Sequence, residues 1–190
     1  MSLNTKLLVF ITKILVLLVL IYPLWLVFTP LYNSFVAEVS NSFVSLTERA
    51  SGIALRPEAH FIWIDESGTG PEAAMQGIDV NRVYFNLILL VVLFLATPNL
   101  GLQRRLKLLF AGVAILFITH VVSVVVIAKY TYLSSLSKHH DIQGRILEQA
   151  RRFLITMGFQ LFPVLIWAML TLKYWSFRAE ENEDCQKNST

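Results

Sequence analysis

The sequence predicts an all-α membrane protein: four transmembrane helices, with a small extracytoplasmic insert (an amphipathic helix plus a short β segment) between helices 1 and 2. Three observations point there. Of the 190 residues, 55% are apolar and only 15% charged, against soluble norms of about 45–50% and about 25%. Four apolar stretches approach the roughly 20 residues that a bilayer requires. The few charges are sorted, with acids gathered in some connecting segments and bases in others. A soluble domain needs a denser charged skin than this chain provides. Disorder needs low hydrophobicity and high net charge, and the chain has a mean hydropathy of +0.60 and a net charge of +3. One cysteine excludes a disulfide scaffold, and no repeat period suggests a solenoid.

The first span runs over about 14–32, with Lys13 at its edge, where the stem can snorkel to the headgroups. Its apolar run is too long for a signal peptide and no Ala-x-Ala site follows, so it reads as an uncleaved anchor. The second covers 83–100 and ends in Thr97-Pro98-Asn99. The third, 108–128, lies between Lys107 and Lys129, and the fourth, 153–172, between Arg152 and Lys173. Trp25, Trp167, Tyr174 and Trp175 lie at or within two turns of span ends, where amphipathic rings belong. These spans make one membrane domain over 1–175, followed by a polar tail over 176–190 with four acids that reads as disordered and cytoplasmic.

Orientation follows Lys and Arg in short loops. The turn between spans two and three carries Arg104, Arg105 and Lys107 without an acid, and the N-terminal segment carries Lys6 and Lys13. Both face the cytoplasm on this reading, as do both termini, in a bacterial inner membrane. The insert over 33–82 is then outside, where residues 31–82 hold three arginines against seven acids. One segment disagrees. Residues 129–152 hold five Lys and Arg against two acids, yet alternation places them outside.

Within the insert, Phe35, Val39, Phe43 and Leu46 recur at helical spacing, giving a one-faced helix that either lies on the membrane surface or continues span one. The stretch Phe61-Ile62-Trp63-Ile64 is rich in β-branched and aromatic residues and reads as a strand beginning near Ala59, after the break at Pro57. A lone strand is unstable, so it pairs either inside the insert or with another protein. Gly68-Thr69-Gly70 lacks the rest of a phosphate loop and reads as a turn.

Few residues suggest chemistry. His139, His140 and Asp141 are metal-type ligands, but adjacent histidines diverge; His60 with Asp65 and Glu66 lies on the same predicted side and could complete such a site. Cys185 sits beside Glu183 and Asp184, a setting that disfavours a thiolate. Asn188-Ser189-Thr190 matches a glycosylation acceptor but falls on the cytoplasmic side. No catalytic, cofactor or metal residue is assigned, and no cofactor is expected. Polar residues within spans are the stronger signal, because each costs free energy in hydrocarbon. Asn86, His120 and Gln160 are the candidate intramembrane contacts, with His120 near the midplane and bonded to Gln160, Asn86 or a backbone carbonyl. Interhelical hydrogen bonding is the plain reading; a partner-facing role or a relay is the alternative. Arg104, Arg105, Arg151 and Arg152 are candidate anchors for lipid or a partner.

The strings Val80-Asn81-Arg82-Val83-Tyr84-Phe85-Asn86-Leu87, Leu95-Ala96-Thr97-Pro98, Leu102-Gln103-Arg104-Arg105-Leu106, Ala150-Arg151-Arg152-Phe153-Leu154, Met157-Gly158-Phe159-Gln160 and Phe162-Pro163-Val164-Leu165-Ile166-Trp167, with a first span followed by an acidic loop, resemble small bacterial membrane proteins that accompany exosortases, especially the exosortase H-associated type. The resemblance implies a non-enzymatic accessory or assembly protein in an envelope protein-sorting system, with an exosortase-like membrane protein and the lipid bilayer as partners. It carries no catalytic residue over. Exosortases use a membrane-associated Cys, Arg and His, and this chain has no Cys outside its tail. The alternatives are a small transporter or channel component with His120 in its path, and a surface metal-dependent enzyme using His139 and His140. The positive net charge is a product of topology and implies no nucleic-acid partner.

Overall fold

The computed structural model describes residues 3–47, 53–58, 61–66, 76–98, 100–135, 142–155 and 161–172. The chain is mostly helical. Helix α1 (Leu3–Thr47) leads into strands β1 (Ile53–Glu58), β2 (Phe61–Glu66) and β3 (Gln76–Asp79), then α2 (Val80–Ala96), α3 (Leu102–Ser135) and α4 (Ile142–Phe153). A last apolar helix, α5, spans Leu161–Leu172.

Helix α1 is one continuous element of 45 residues, passing through Pro23 and Pro30 without ending. At a rise of 1.5 Å per residue it is roughly 68 Å long, about twice the hydrocarbon thickness of a bilayer. The one-faced helix at Phe35–Leu46 is thus a continuation of the first apolar run, and the end of span one at residue 32 is not a helix end. Along its length Thr12, Thr29, Ser34 and Ser42 donate to the carbonyls four residues back, which satisfies each hydroxyl inside its own helix.

The strand expected after Ala59 finds its partners within the same segment. β2 pairs antiparallel with β1 on one side and β3 on the other, setting Leu55 opposite Ile64 and Ile62 opposite Ile78. Pro57 lies in β1 instead of breaking the chain before it, as an edge strand tolerates. Alternation turns Ile62 and Ile64 inward to join Leu55 and Ile78 against Val36 and Ala37 of α1 and Val121, Val124 and Ala128 of α3. On the opposite face Trp63 stacks near Phe61 and covers Gly77, where an added Cβ would meet the indole at 3.0 Å. Asn41 of α1 completes the β1 edge: its Nδ2 donates to the Leu55 carbonyl and its Oδ1 accepts from the Leu55 N–H, both at 2.8 Å. Asn33 Nδ2 donates to the Phe61 carbonyl at 3.0 Å.

Two helices are long and apolar enough to cross a membrane, over Leu7–Leu46 and Leu102–Ser134. The expected second span corresponds to α2, 17 residues and about 25 Å long. The expected fourth span corresponds to the end of α4 and the shorter α5, with residues 156–160 outside the described part. A second core joins these helices through Leu87, Leu90 and Phe94 of α2, Leu116 of α3 and Ile166 of α5. Gly112 permits that approach, since a Cβ there would lie 3.0 Å from the Phe94 ring and 3.4 Å from Ile166.

Candidate functional site

His120 is 1% exposed, deep in the bundle on α3. Its Nδ1 lies 2.9 Å from the Tyr32 hydroxyl of α1, and a hydrogen bond joins two helices across 88 residues of sequence. The rings meet edge-on at 6.0 Å, and Tyr32 also meets Phe117 edge-on and Trp25 at a tilt. Tyr32 is not among the expected partners, which are Gln160, Asn86 or a backbone carbonyl. Because α1 runs on past residue 32, Tyr32 is not a terminal aromatic but an interior one facing α3. Asn86 is buried on α2, and its Nδ2 has no hydrogen-bond partner among the described residues. Gln160 lies outside the described residues, as do His60, His139, His140, Asp141, Gly68-Thr69-Gly70 and Cys185.

The four candidate anchors divide. Arg104 is exposed. Arg105 donates to the carbonyls of Thr97 (2.8 Å) and Leu100 (3.3 Å), so it closes the α2–α3 turn instead of reaching outward. Arg151 lies over the Tyr130 ring, 4.6 Å from its centroid, and Arg152 pairs with Glu148 one turn back on α4. Near that turn, Trp167 Nε1 of α5 donates to Thr97 Oγ1 at 2.8 Å, and Trp167 stacks on Phe10 of α1. The beginning of α1, the α2–α3 turn and the later part of α5 therefore gather at one end of the molecule. The three-stranded sheet, held by Asn33 and Asn41, marks the other.

An open groove of about 640 Å3 runs along α1, lined by Leu24, Trp25, Phe28, Tyr32 and Phe35, with Glu38 at its outer end. Sequence reasoning missed it, although a signal was present: aromatic residues at 25, 28, 32 and 35 recur every three or four positions. Among the described residues, no three His, Cys, Asp or Glu side chains form a metal-binding group.

The fold and these sites define a coarse class, a mostly helical chain with two helices able to cross a membrane and an apolar groove on the first. No protein-family model, curated protein or solved structure matches the chain.

Proposed function

We propose that this chain is a non-enzymatic, multi-pass accessory protein of a bacterial inner membrane, and that it holds a second membrane protein through the groove on α1. The observation that carries the reading is the groove itself: its walls are apolar and aromatic, and all of them come from α1. Large apolar side chains around it stand exposed, including Leu24, Phe28, Leu31 and Phe35. Extended exposed apolar surface marks a membrane or protein contact. On this reading α1, α2, α3 and the segment ending in α5 make four crossings of one domain through residue 175, with the 176–190 tail and both termini in the cytoplasm. The segment 33–82 is the extracytoplasmic insert. The shortness of α2 and α5 is accommodated by local thinning or by shelter against α1 and α3.

The partner fits an envelope protein-sorting system of the exosortase kind, where the resemblance points. The geometry around His120 favours assembly over transport. Its imidazole is buried and hydrogen-bonded to Tyr32, an arrangement suited to fixing two helices against each other.

The test is a photoreactive side chain at Phe28, which is 50% exposed in the groove, introduced into the full chain and activated in native membranes. The expected product is an adduct with one heterologous membrane protein. Adducts with lipid alone, or with a second copy alone, overturn the proposal.

A further inference from the structure

The apolar lining of the α1 groove ends in a charge. Ile21, Leu24, Phe28, Leu31 and Phe35 follow one another every three or four positions, and Glu38 takes the next place on the same stripe. Between Lys13 and Glu38 the chain has no charged residue. These two residues are 25 positions apart on one continuous helix, which is about 38 Å at 1.5 Å per residue. A hydrocarbon core is about 30 Å thick. With Lys13 at the inner boundary, Glu38 stands in the outer headgroup layer.

The other polar groups of the lining are already engaged. The Ser34 hydroxyl donates to the Pro30 carbonyl, and the Tyr32 hydroxyl is joined to His120. Glu38 is exposed and makes no ion pair among the described residues. A carboxylate at the end of an apolar track attracts a cation to that point and repels a phosphate. A lipid seated in the groove would bring its phosphate to that depth. Two α1 helices packed about a twofold axis would bring their Glu38 side chains together, because an isologous contact repeats one patch on both sides. The track also outlasts the bilayer. Leu46 lies about three turns beyond Phe35 on the same line and is 80% exposed. It is roughly 50 Å from Lys13, past the headgroups of a bilayer about 40–45 Å across, where acyl chains do not cover it.

We propose that the α1 groove seats one membrane-crossing helix of a different protein, and that a Lys or Arg just outside the apolar run of that helix, on the extracytoplasmic side, pairs with Glu38. The occupant is a helix because a segment within hydrocarbon has to satisfy its own backbone groups. The lining extends over 17 positions of α1, about 26 Å, so one such helix fills it. Leu24, Phe28, Leu31 and Phe35 supply the ridges against which it packs, and Glu38 sets its register along α1. The inference rests on the proposed role of the groove and adds the chemistry of what occupies it.

The experiment uses the full chain in native membranes with the photoreactive side chain at Phe28, and maps the cross-linked segment of the adduct by mass spectrometry. That segment is expected to be an apolar run of about 20 residues, with a Lys or Arg within about two turns of its outer end. Glu38→Gln is expected to lower the adduct yield about threefold, the weight of one exposed ion pair. Glu38→Lys is expected to lower it about tenfold, since like charges then meet. Changing the mapped base to Glu is expected to restore the yield with Glu38→Lys. Glu58→Lys makes the same change of charge at an exposed position of β1 and is expected to alter nothing. A heterologous adduct indifferent to Glu38→Lys, or a mapped segment without that base, overturns the inference and leaves the proposed role of the groove standing. Absence of any heterologous adduct overturns that role as well, and the two failures are thereby distinguished.

Discussion

Tyr32 and His120 illustrate how a polar pair is tolerated inside an apolar bundle. Each side chain is large and amphipathic, and each loses hydration on burial, a loss that the shared hydrogen bond at 2.9 Å partly restores. Trp25 and Phe117 pack against the Tyr32 ring, which in turn meets the His120 imidazole edge-on. Pairs of this kind between membrane helices contribute about 0.6 kcal/mol on average and up to about 1.7 kcal/mol. A double-mutant cycle of Tyr32→Phe and His120→Leu, read by unfolding in mixed micelles, is expected to return a coupling energy in that range. Strict additivity would show that the contact contributes nothing. By contrast, the hydroxyls of Thr12, Thr29, Thr119, Ser123 and Thr171 bond to carbonyls of their own helices. Their presence in an apolar sequence signals no partner.

Elements approach one another where the sequence provides small or self-capping residues. Gly112 lets α3 meet the fully buried Phe94 ring of α2. Gly112→Val is expected to destabilise the protein by about 1–3 kcal/mol, the usual cost of overpacking a tight core. The small gain in helix propensity over glycine does not offset this. A melting temperature equal to that of the unchanged chain in the same detergent would contradict the packing described. At the sheet, Asn41 supplies one donor and one acceptor to Leu55 and so stands in for a neighbouring strand. This protects a β edge that would otherwise present open backbone groups. The sheet is thus bound to α1 by polar bonds at its edge and by apolar contact beneath it.

At the scale of the whole molecule, the two ends differ in chemistry. One end gathers the Phe10–Trp167 stack, the Trp167–Thr97 bond and the turn sealed by Arg105, with Lys13, Arg104 and Lys107 nearby in sequence. The other carries the sheet on the far half of α1. With the positive-inside tendency, this separation predicts opposite sides for Gln103 and Ser45, both exposed on their helices. In a Cys185→Ser background, Ser45→Cys is expected to react with an impermeant maleimide in intact cells. Gln103→Cys is expected to react only after permeabilisation. Labelling of both from the same side would invalidate the arrangement.

Hydropathy was legible along the chain because transfer from water is nearly additive, residue by residue. The apolar cores of α1, α2, α3 and α5, the β character of Phe61–Ile64 and the burial of Asn86 and His120 follow from such local terms. Contacts between distant residues do not. The partner of His120 lies 88 positions away, that of Trp167 lies 70 away, and Asn41 reaches Leu55 across 14. Whether Phe35–Leu46 forms a separate surface helix or prolongs α1 is equally undecidable from periodicity, since both arrangements carry the same stripe. Arg105 and Arg151 are indistinguishable from free anchors in sequence, and only the positions of the Thr97 carbonyl and the Tyr130 ring assign them. Composition and period thus establish what each segment buries, because solvation acts on a segment alone. Which side chains meet and where a groove forms depend on how the helices pack, and that is a property of the assembled chain.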